Sequence, residues 1–325
     1  MNRISDFIKE DVKTIAIAGH VNPDGDCLGS TMGLYLYLKE NYPNLSLSVY
    51  LENVRDDFRF ISGIDEIKTR KEDDFSVDMI ITCDASSKDR IGLLAEVYDD
   101  VKYTLCIDHH VSNPGIAKVN HILAEASSAS EVVFELLEKE KISKNVAEAL
   151  YLGIVHDTGV FQFSSTSKKT MEIAGFLMDK GIDFTSIIEK TFYQKTYVQN
   201  LILGRTLMES ILILDKKVIV GGVHRQEMDF YEIGPKDLDG IVNQLRVTKG
   251  VEVAIFFYQT ACHEYKISMR SAGTVNVSQI AQIFGGGGHA MAAGCTMQGN
   301  VYDVINSLTP YIEAQLEKAM EKNGD

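Results

Sequence analysis

The sequence predicts an α/β protein: an N-terminal parallel sheet with helices on both faces, followed by a smaller mixed-sheet α/β domain. Three observations lead there. Short apolar runs alternate with helical patterns through the first half. Several of those runs stop at or just before His20, Asp84 and Asp108, the strand ends where open α/β sheets bind ligands. In the second half, strand-like runs crowd either side of Asp215-Lys216, which predicts a hairpin and a mixed or antiparallel sheet.

The elements follow in order. Thr14 to Ala18 is a short apolar run and predicts a buried strand. A helix is expected from Gly29 to Glu40, with apolar positions at Met32, Leu34, Tyr35 and Leu38. Leu45 to Leu51 alternates as a strand; Asp78 to Cys83 and Tyr103 to Ile107 read as buried strands. Helices are expected at Ser128 to Lys139 and Val146 to His156. Beyond the midpoint, strands are expected at Ile211 to Leu214, Lys217 to Val223, Val251 to Tyr258 and Tyr265 to Met269. Helices are expected at Leu238 to Val247, Val277 to Phe284 and Tyr302 to Lys322. With 325 residues, two domains are the natural expectation, at 1–185 and 209–325, joined by a helical connector at 186–208.

Composition narrows the function. The chain carries 32 basic and 46 acidic residues, a formal charge of −14, which argues against gripping long nucleic acid by general electrostatics. Five cysteines, Cys27, Cys83, Cys106, Cys262 and Cys295, form no C-x-x-C pair and read as free thiols of a reducing compartment. Without an apolar leader or a long apolar run, a cytoplasmic protein with no membrane association is expected.

Hard ligands gather in the first half: His20, Asp24 and Asp26; Asp84; Asp108, His109 and His110; Asp157. Four carboxylates, Asp24, Asp26, Asp84 and Asp157, would repel one another unless two divalent cations held them. If Asp24 and Asp26 lie in an extended loop, their i, i+2 spacing points both to one side. The same segment also reads as a plain turn followed by a helix N-cap at Ser30. A set of imidazole and carboxylate without cysteine suits Mn²⁺; Fe²⁺, Co²⁺ and Zn²⁺ also accept it, and Mg²⁺ is less favoured.

These residues resemble the motifs of the DHH phosphoesterases. The segment Gly19-His20-Val21-Asn22-Pro23-Asp24-Gly25-Asp26-Cys27-Leu28-Gly29-Ser30 is similar to the first motif, Thr82-Cys83-Asp84-Ala85-Ser86 to the second. Asp108-His109-His110 is the triplet that names the family, and His156-Asp157-Thr158-Gly159 is similar to the fourth motif. The run Gly285-Gly286-Gly287-Gly288-His289-Ala290-Met291-Ala292-Ala293-Gly294 resembles the glycine-rich signature of the DHH-associated substrate domain. The layout looks like the nano-RNase group, which degrades very short RNA and dephosphorylates 3′-phosphoadenosine 5′-phosphate (pAp). The resemblance implies that His20, Asp24 and Asp84 hold one Mn²⁺. Asp26, Asp84, His109 and Asp157 would then hold the other, with Asp84 bridging. It further implies His110 near the scissile phosphate and Asp108 orienting a histidine.

Glycines suit a place where backbone approaches a ligand, so Gly286, Gly287 and Gly288, with His289, are expected to cradle phosphate. Arg270, at a strand end, is expected to clamp phosphate or carboxylate through its bidentate fork; Arg246 is a weaker candidate. Phe161 and Phe163 read as core packing before base stacking. The expected partners are short RNA oligonucleotides, pAp or dinucleotides, with no long DNA and no membrane, and a homodimer is left open. A cyclic di-AMP or pApA phosphodiesterase is the alternative, and an inert nucleotide sensor a rival of another class. His156-Asp157 also invites an all-helical HD-type phosphohydrolase, which the strand-end placement of His20 and Asp84 disfavours.

Overall fold

In the computed structural model, residues 2–323 are described, and the chain divides into two compact units, 1–194 and 195–325. The residues expected to form a connector divide between them. Helix Phe184–Ile188 and the single π-turn Glu189–Tyr193 belong to the first unit, and helix Tyr197–Glu209 to the second.

The first unit is built on six strands: β1 (Thr14–Ala18), β2 (Ser46–Tyr50), β3 (Ile67–Lys68), β4 (Met79–Cys83), β5 (Tyr103–Asp108) and β6 (Val119–Ile122). All pair in parallel, in the order β3-β2-β1-β4-β5-β6. Strand order reverses between β1 and β4, which opens a crevice at their carboxyl ends. Register aligns Ala18 with Thr82 and Cys83 with Ile107, so His20, Asp84 and Asp108 emerge side by side.

Alternation sorts the apolar residues onto two faces. After the short N-terminal helix α1 (Ile4–Phe7), helices α2 (Gly25–Asn41), α3 (Ala129–Leu136) and α4 (Lys144–Asp157) pack against Ile15, Ile17, Ile81, Leu105 and Ile107. Ala16, Ala18, Ile80 and Cys106 face Leu94 and Tyr98, in and beside the 3₁₀ segment Gly92–Val97. One face is thus covered by α-helices and the other by short 3₁₀ turns and loop.

Helix α2 starts four residues before the expected Gly29. Its N-cap is Asp24, whose carboxylate accepts the N–H groups of Asp26 and Cys27, both at 3.0 Å. Ser30, expected as a cap, lies inside the helix and donates its hydroxyl to the Asp26 carbonyl at 2.7 Å. The expected extended loop at Asp26 is therefore replaced by a helical first turn. Helices α2 and α4 cross at contact distance because Gly29 and Gly153 lack side chains. A Cβ on Gly29 would lie 2.5 Å from the Ala149 carbonyl oxygen, and one on Gly153 2.7 Å from Asp26 Oδ1. That crossing brings Asp157, at the end of α4, to Asp26.

The second unit holds a mixed sheet in the order β11-β12-β10-β9-β8-β7. Its strands are β7 (Ile211–Ile213), β8 (Val218–Val223), β9 (Val253–Ala261), β10 (Glu264–Ser271), β11 (Gly287–His289) and β12 (Ala292–Gln298). Only β8 and β9 pair in parallel; the expected hairpin at Asp215-Lys216 joins β7 and β8. Helices Val277–Ile283 and Val301–Asn323 cover one face, and Ile241–Arg246 packs on the other.

Candidate metal centre

Asp84 sits in the middle of the cluster. Its backbone is left-handed, with φ 55°, a strained conformation for a residue with a side chain. Its N–H donates to the Ile107 carbonyl at 3.1 Å, which ties it to the end of β5. The carboxylate is buried and splits its oxygens. Oδ2 lies 3.4 Å from His20 Nε2, and Oδ1 lies 3.7 Å from His109 Nε2 and 3.5 Å from His110 Nδ1.

Around the first oxygen, His20 Nε2 also lies 3.8 Å from Asp24 Oδ1. Around the second, His109 Nε2 lies 3.1 Å from Asp157 Oδ2 and 3.9 Å from Asp26 Oδ2. All six residues proposed from the sequence as ligands, His20, Asp24, Asp26, Asp84, His109 and Asp157, thus converge in one pocket.

The histidines are held with Nε2 turned inward. His20 Nδ1 is 2.9 Å from its acceptor, the Val21 carbonyl, and His109 Nδ1 is 3.4 Å from that of Ala126. A backbone carbonyl on one ring nitrogen leaves the other free to bind an ion, the usual support of a metal-bound imidazole. Asp26 is fixed by the N-terminus of α3: Ala129 N–H donates to Oδ2 at 2.6 Å and Ser130 N–H to Oδ1 at 2.9 Å. Sequence reasoning missed these two amides, although Ser128-x-x-Glu131 is an N-terminal capping pattern that marks the helix start.

His110 points its Nδ1 at Asp108 Oδ1, 2.8 Å away. Asp108 is wholly buried, and its other oxygen accepts the Asn113 amide, a partner that sequence reasoning did not find. The Asp108 bond holds the His110 imidazole above its ordinary pKa. His156 plays another part. Its ring packs on Phe58 and over the bare Cα of Gly25, and its Nε2 meets Thr191 Oγ1 at 2.9 Å. Burial and the nearby Arg55 hold it down at about 4, so it is a neutral packing group.

The electrostatics ask for cations. Burial, with the charges of Asp26 and Asp84, pushes Asp157 up to about 10. Burial and Asp84 push Asp26 up, and burial pushes Asp84 up against the opposing pull of His20. Asp84 Oδ1 is buried with no hydrogen-bond partner. Such an orphan costs about 1–3 kcal/mol, or more when charged, and a cation would satisfy it. The donor set fits two divalent ions flanking Asp84.

One more donor is present. Cys27 Sγ accepts the His20 N–H at 3.1 Å and lies close to His20 and Asp84 donor atoms, so the pocket is not free of cysteine as the sequence suggested. Burial pushes its pKa up to about 12, which keeps it a thiol in the metal-free protein.

In the second unit, register places Arg270 opposite Ala292, and Ala292 opposite His289. Direct cross-strand neighbours share a face, so Arg270 and His289 flank Ala292 in one row. Arg270 Nε donates to Asn243 Oδ1 at 3.0 Å. Burial and neighbouring Arg246 lower its pKa. The glycine run is partly strand: Gly287–His289 pairs with β12. A Cβ on Gly286 would lie 2.1 Å from the Gly294 carbonyl oxygen, and one on Gly288, with φ 142°, 2.4 Å from that of Ala292. Those two glycines therefore answer to the adjacent strand. Gly287 alone of the three meets nothing within 4 Å. Phe161 is partly buried beside Tyr151, whereas Phe163 is 52% exposed and not core.

Comparison with known proteins agrees with this geometry. Residues 14–154 match the DHH family, N-terminal domain, and residues 215–318 match the DHHA1 domain. The bifunctional oligoribonuclease and PAP phosphatase of Bacillus subtilis is 26% identical over 294 residues, 87% of this chain and 89% of the relative. Its counterpart in Mycoplasma genitalium is 30% identical over 327 residues, 94% of each. The crystal structure of an exopolyphosphatase-related protein from Bacteroides fragilis superposes with a TM-score of 0.87 at 26% identity, covering 96% of this chain and 95% of that one.

Proposed function

Since the chain belongs to the DHH family and is a hydrolase of phosphoester bonds, we propose that it degrades short RNA oligonucleotides and converts pAp to AMP with two divalent cations, Mn²⁺ foremost. The observation that carries this reading is Asp84, which offers one oxygen to the His20 side and the other to the His109 side. The names of the B. subtilis and M. genitalium relatives support the substrates, and the charge of −14 supports short ones.

His20 and Asp24 complete one ion position; Asp26, His109 and Asp157 complete the other. Bound there, divalent ions supply charge neutralisation for a phosphoryl group and a nucleophile from water at neutral pH. His110, fixed through Nδ1 by Asp108, presents Nε2 as donor to the leaving oxygen. Arg270, Gly286, Gly287, Gly288 and His289 are assigned to substrate recognition, Gly287 because open space lies over its Cα and Arg270 because it offers charged donors. The free cysteines support a cytoplasmic setting.

The test is a side-by-side rate comparison on pAp, pApA, longer RNA oligomers and cyclic di-AMP, with Mn²⁺ and with chelator. Fast Mn²⁺-dependent turnover of pAp and the short oligomers is expected. Preference for cyclic di-AMP, or nucleotide binding without turnover, would contradict the reading.

A further inference from the structure

Cys27 has no part in the chemistry above, yet its sulfur belongs to the ion pocket. Cys27 Sγ, one nitrogen of His20 and one oxygen of Asp84 all lie within 4.8 Å of one another. On a single ion, sulfur at about 2.3 Å and nitrogen or oxygen at about 2.0 Å can be at most roughly 4.3 Å apart. Sub-ångström movement therefore suffices to place all three on one cation. The sulfur is wholly buried under the pocket, in space left by Gly19, whose Cβ would come within 2.3 Å of it. The His20 N–H is already aimed at the sulfur at 3.1 Å, the kind of donor that steadies a metal-bound thiolate. Asp84 turns its other oxygen, Oδ2, to this side, 3.4 Å from His20 Nε2.

We propose that Cys27 makes the His20–Asp84 position a site for soft or borderline divalent cations, Zn²⁺, Co²⁺ or Cd²⁺, bound through sulfur, nitrogen and oxygen. The Asp26, His109 and Asp157 position has only oxygen and nitrogen donors and keeps the preference for harder ions. The two halves of one centre thus differ in metal choice. On binding, an S–metal bond replaces the S–H bond, the proton passes to buffer, and no electron is transferred. The inference rests on the two-cation reading of the pocket.

Co²⁺ added to metal-stripped full-length protein tests it by absorption. The expected result is visible d–d bands together with a near-ultraviolet sulfur-to-cobalt charge-transfer band. Cys27→Ser should lose the charge-transfer band, keep d–d absorption from the other position, and bind Cd²⁺ at least about tenfold more weakly. Cys262→Ser, which removes the exposed thiol, should keep the band. Wild-type d–d bands without charge transfer would overturn this inference alone, as would a band that survives in Cys27→Ser. Wild-type protein with no d–d bands would overturn the two-cation reading and this inference with it.

Discussion

Asp84 Oδ2 lies 3.4 Å from His20 Nε2, while the same carboxylate buries Oδ1 with no hydrogen bond of its own. The left-handed backbone at Asp84 holds this arrangement. Strain and an unsatisfied buried oxygen at one residue are expected where a ligand restores the balance.

Replacing Asp84 therefore removes the group shared by the two proposed ion positions. Asp84→Ala should lower bound Mn²⁺ from two ions per chain to fewer than one, measured by elemental analysis. Turnover should fall by more than about 100-fold, the upper range for a lost outer-shell partner. Full metal content in the variant would remove Asp84 from its bridging role.

Metal binding should release protons. Asp157 is pushed up to about 10, so it holds a proton near neutral pH when no ion is present, and burial raises Asp26 and Asp84 in the same direction. Calorimetry in buffers of different ionisation enthalpy should show net release at neutral pH, with affinity rising as pH rises. The sign for stability follows. Raised carboxylates contribute stability that is full below their unfolded value near 4 and is lost as pH climbs toward the folded value, about 10 for Asp157. Metal-free protein should accordingly lose thermal stability across that window, and Mn²⁺ should flatten the trend.

Asp108→Asn should act through His110. Loss of the Asp108 charge lowers the His110 pKa, because that bond is the largest cause holding it up. The alkaline limb of the pH–rate profile should move to lower pH, with turnover reduced about 10–100-fold. An unmoved limb would separate His110 from proton donation.

Much of this centre was legible in the sequence because strand ends are local features. His20, Asp84 and Asp108 follow apolar runs, and parallel register then sets them side by side. The i, i+2 argument for Asp24 and Asp26 assumed an extended loop that a helical turn replaces. Both reach the pocket, yet one is a helix cap and the other lies in the first helical turn. The groups that orient the ligands were less legible. The Val21 and Ala126 carbonyls and the Ala129 and Ser130 amides are backbone, which residue identity does not reveal. In the second unit, the glycines drew attention as a phosphate cradle. Gly286 and Gly288 also answer a packing demand that residue identity does not reveal, since the carbonyls of β12 leave no room for a Cβ.

The glycines can be separated by stability. Gly288→Ala should destabilise the protein by about 1–3 kcal/mol in denaturant titration, because a left-handed φ and the Ala292 carbonyl both oppose a Cβ. Gly287→Ala should unfold like the parent, so a raised KM in that variant reports ligand approach and an unchanged KM excludes it.

Arg270→Ala should raise KM about 10–100-fold, the equivalent of one charge-assisted hydrogen bond of roughly 1.5–3 kcal/mol. Bound Mn²⁺ should not change, and loss of metal in this variant would contradict its assignment to substrate.

Anomalous diffraction at the manganese edge from crystals grown with Mn²⁺ tests the centre most directly. Two peaks about 3.5–4 Å apart, one beside each Asp84 oxygen, are predicted. A single peak, or two that Asp84 does not touch, would contradict the account.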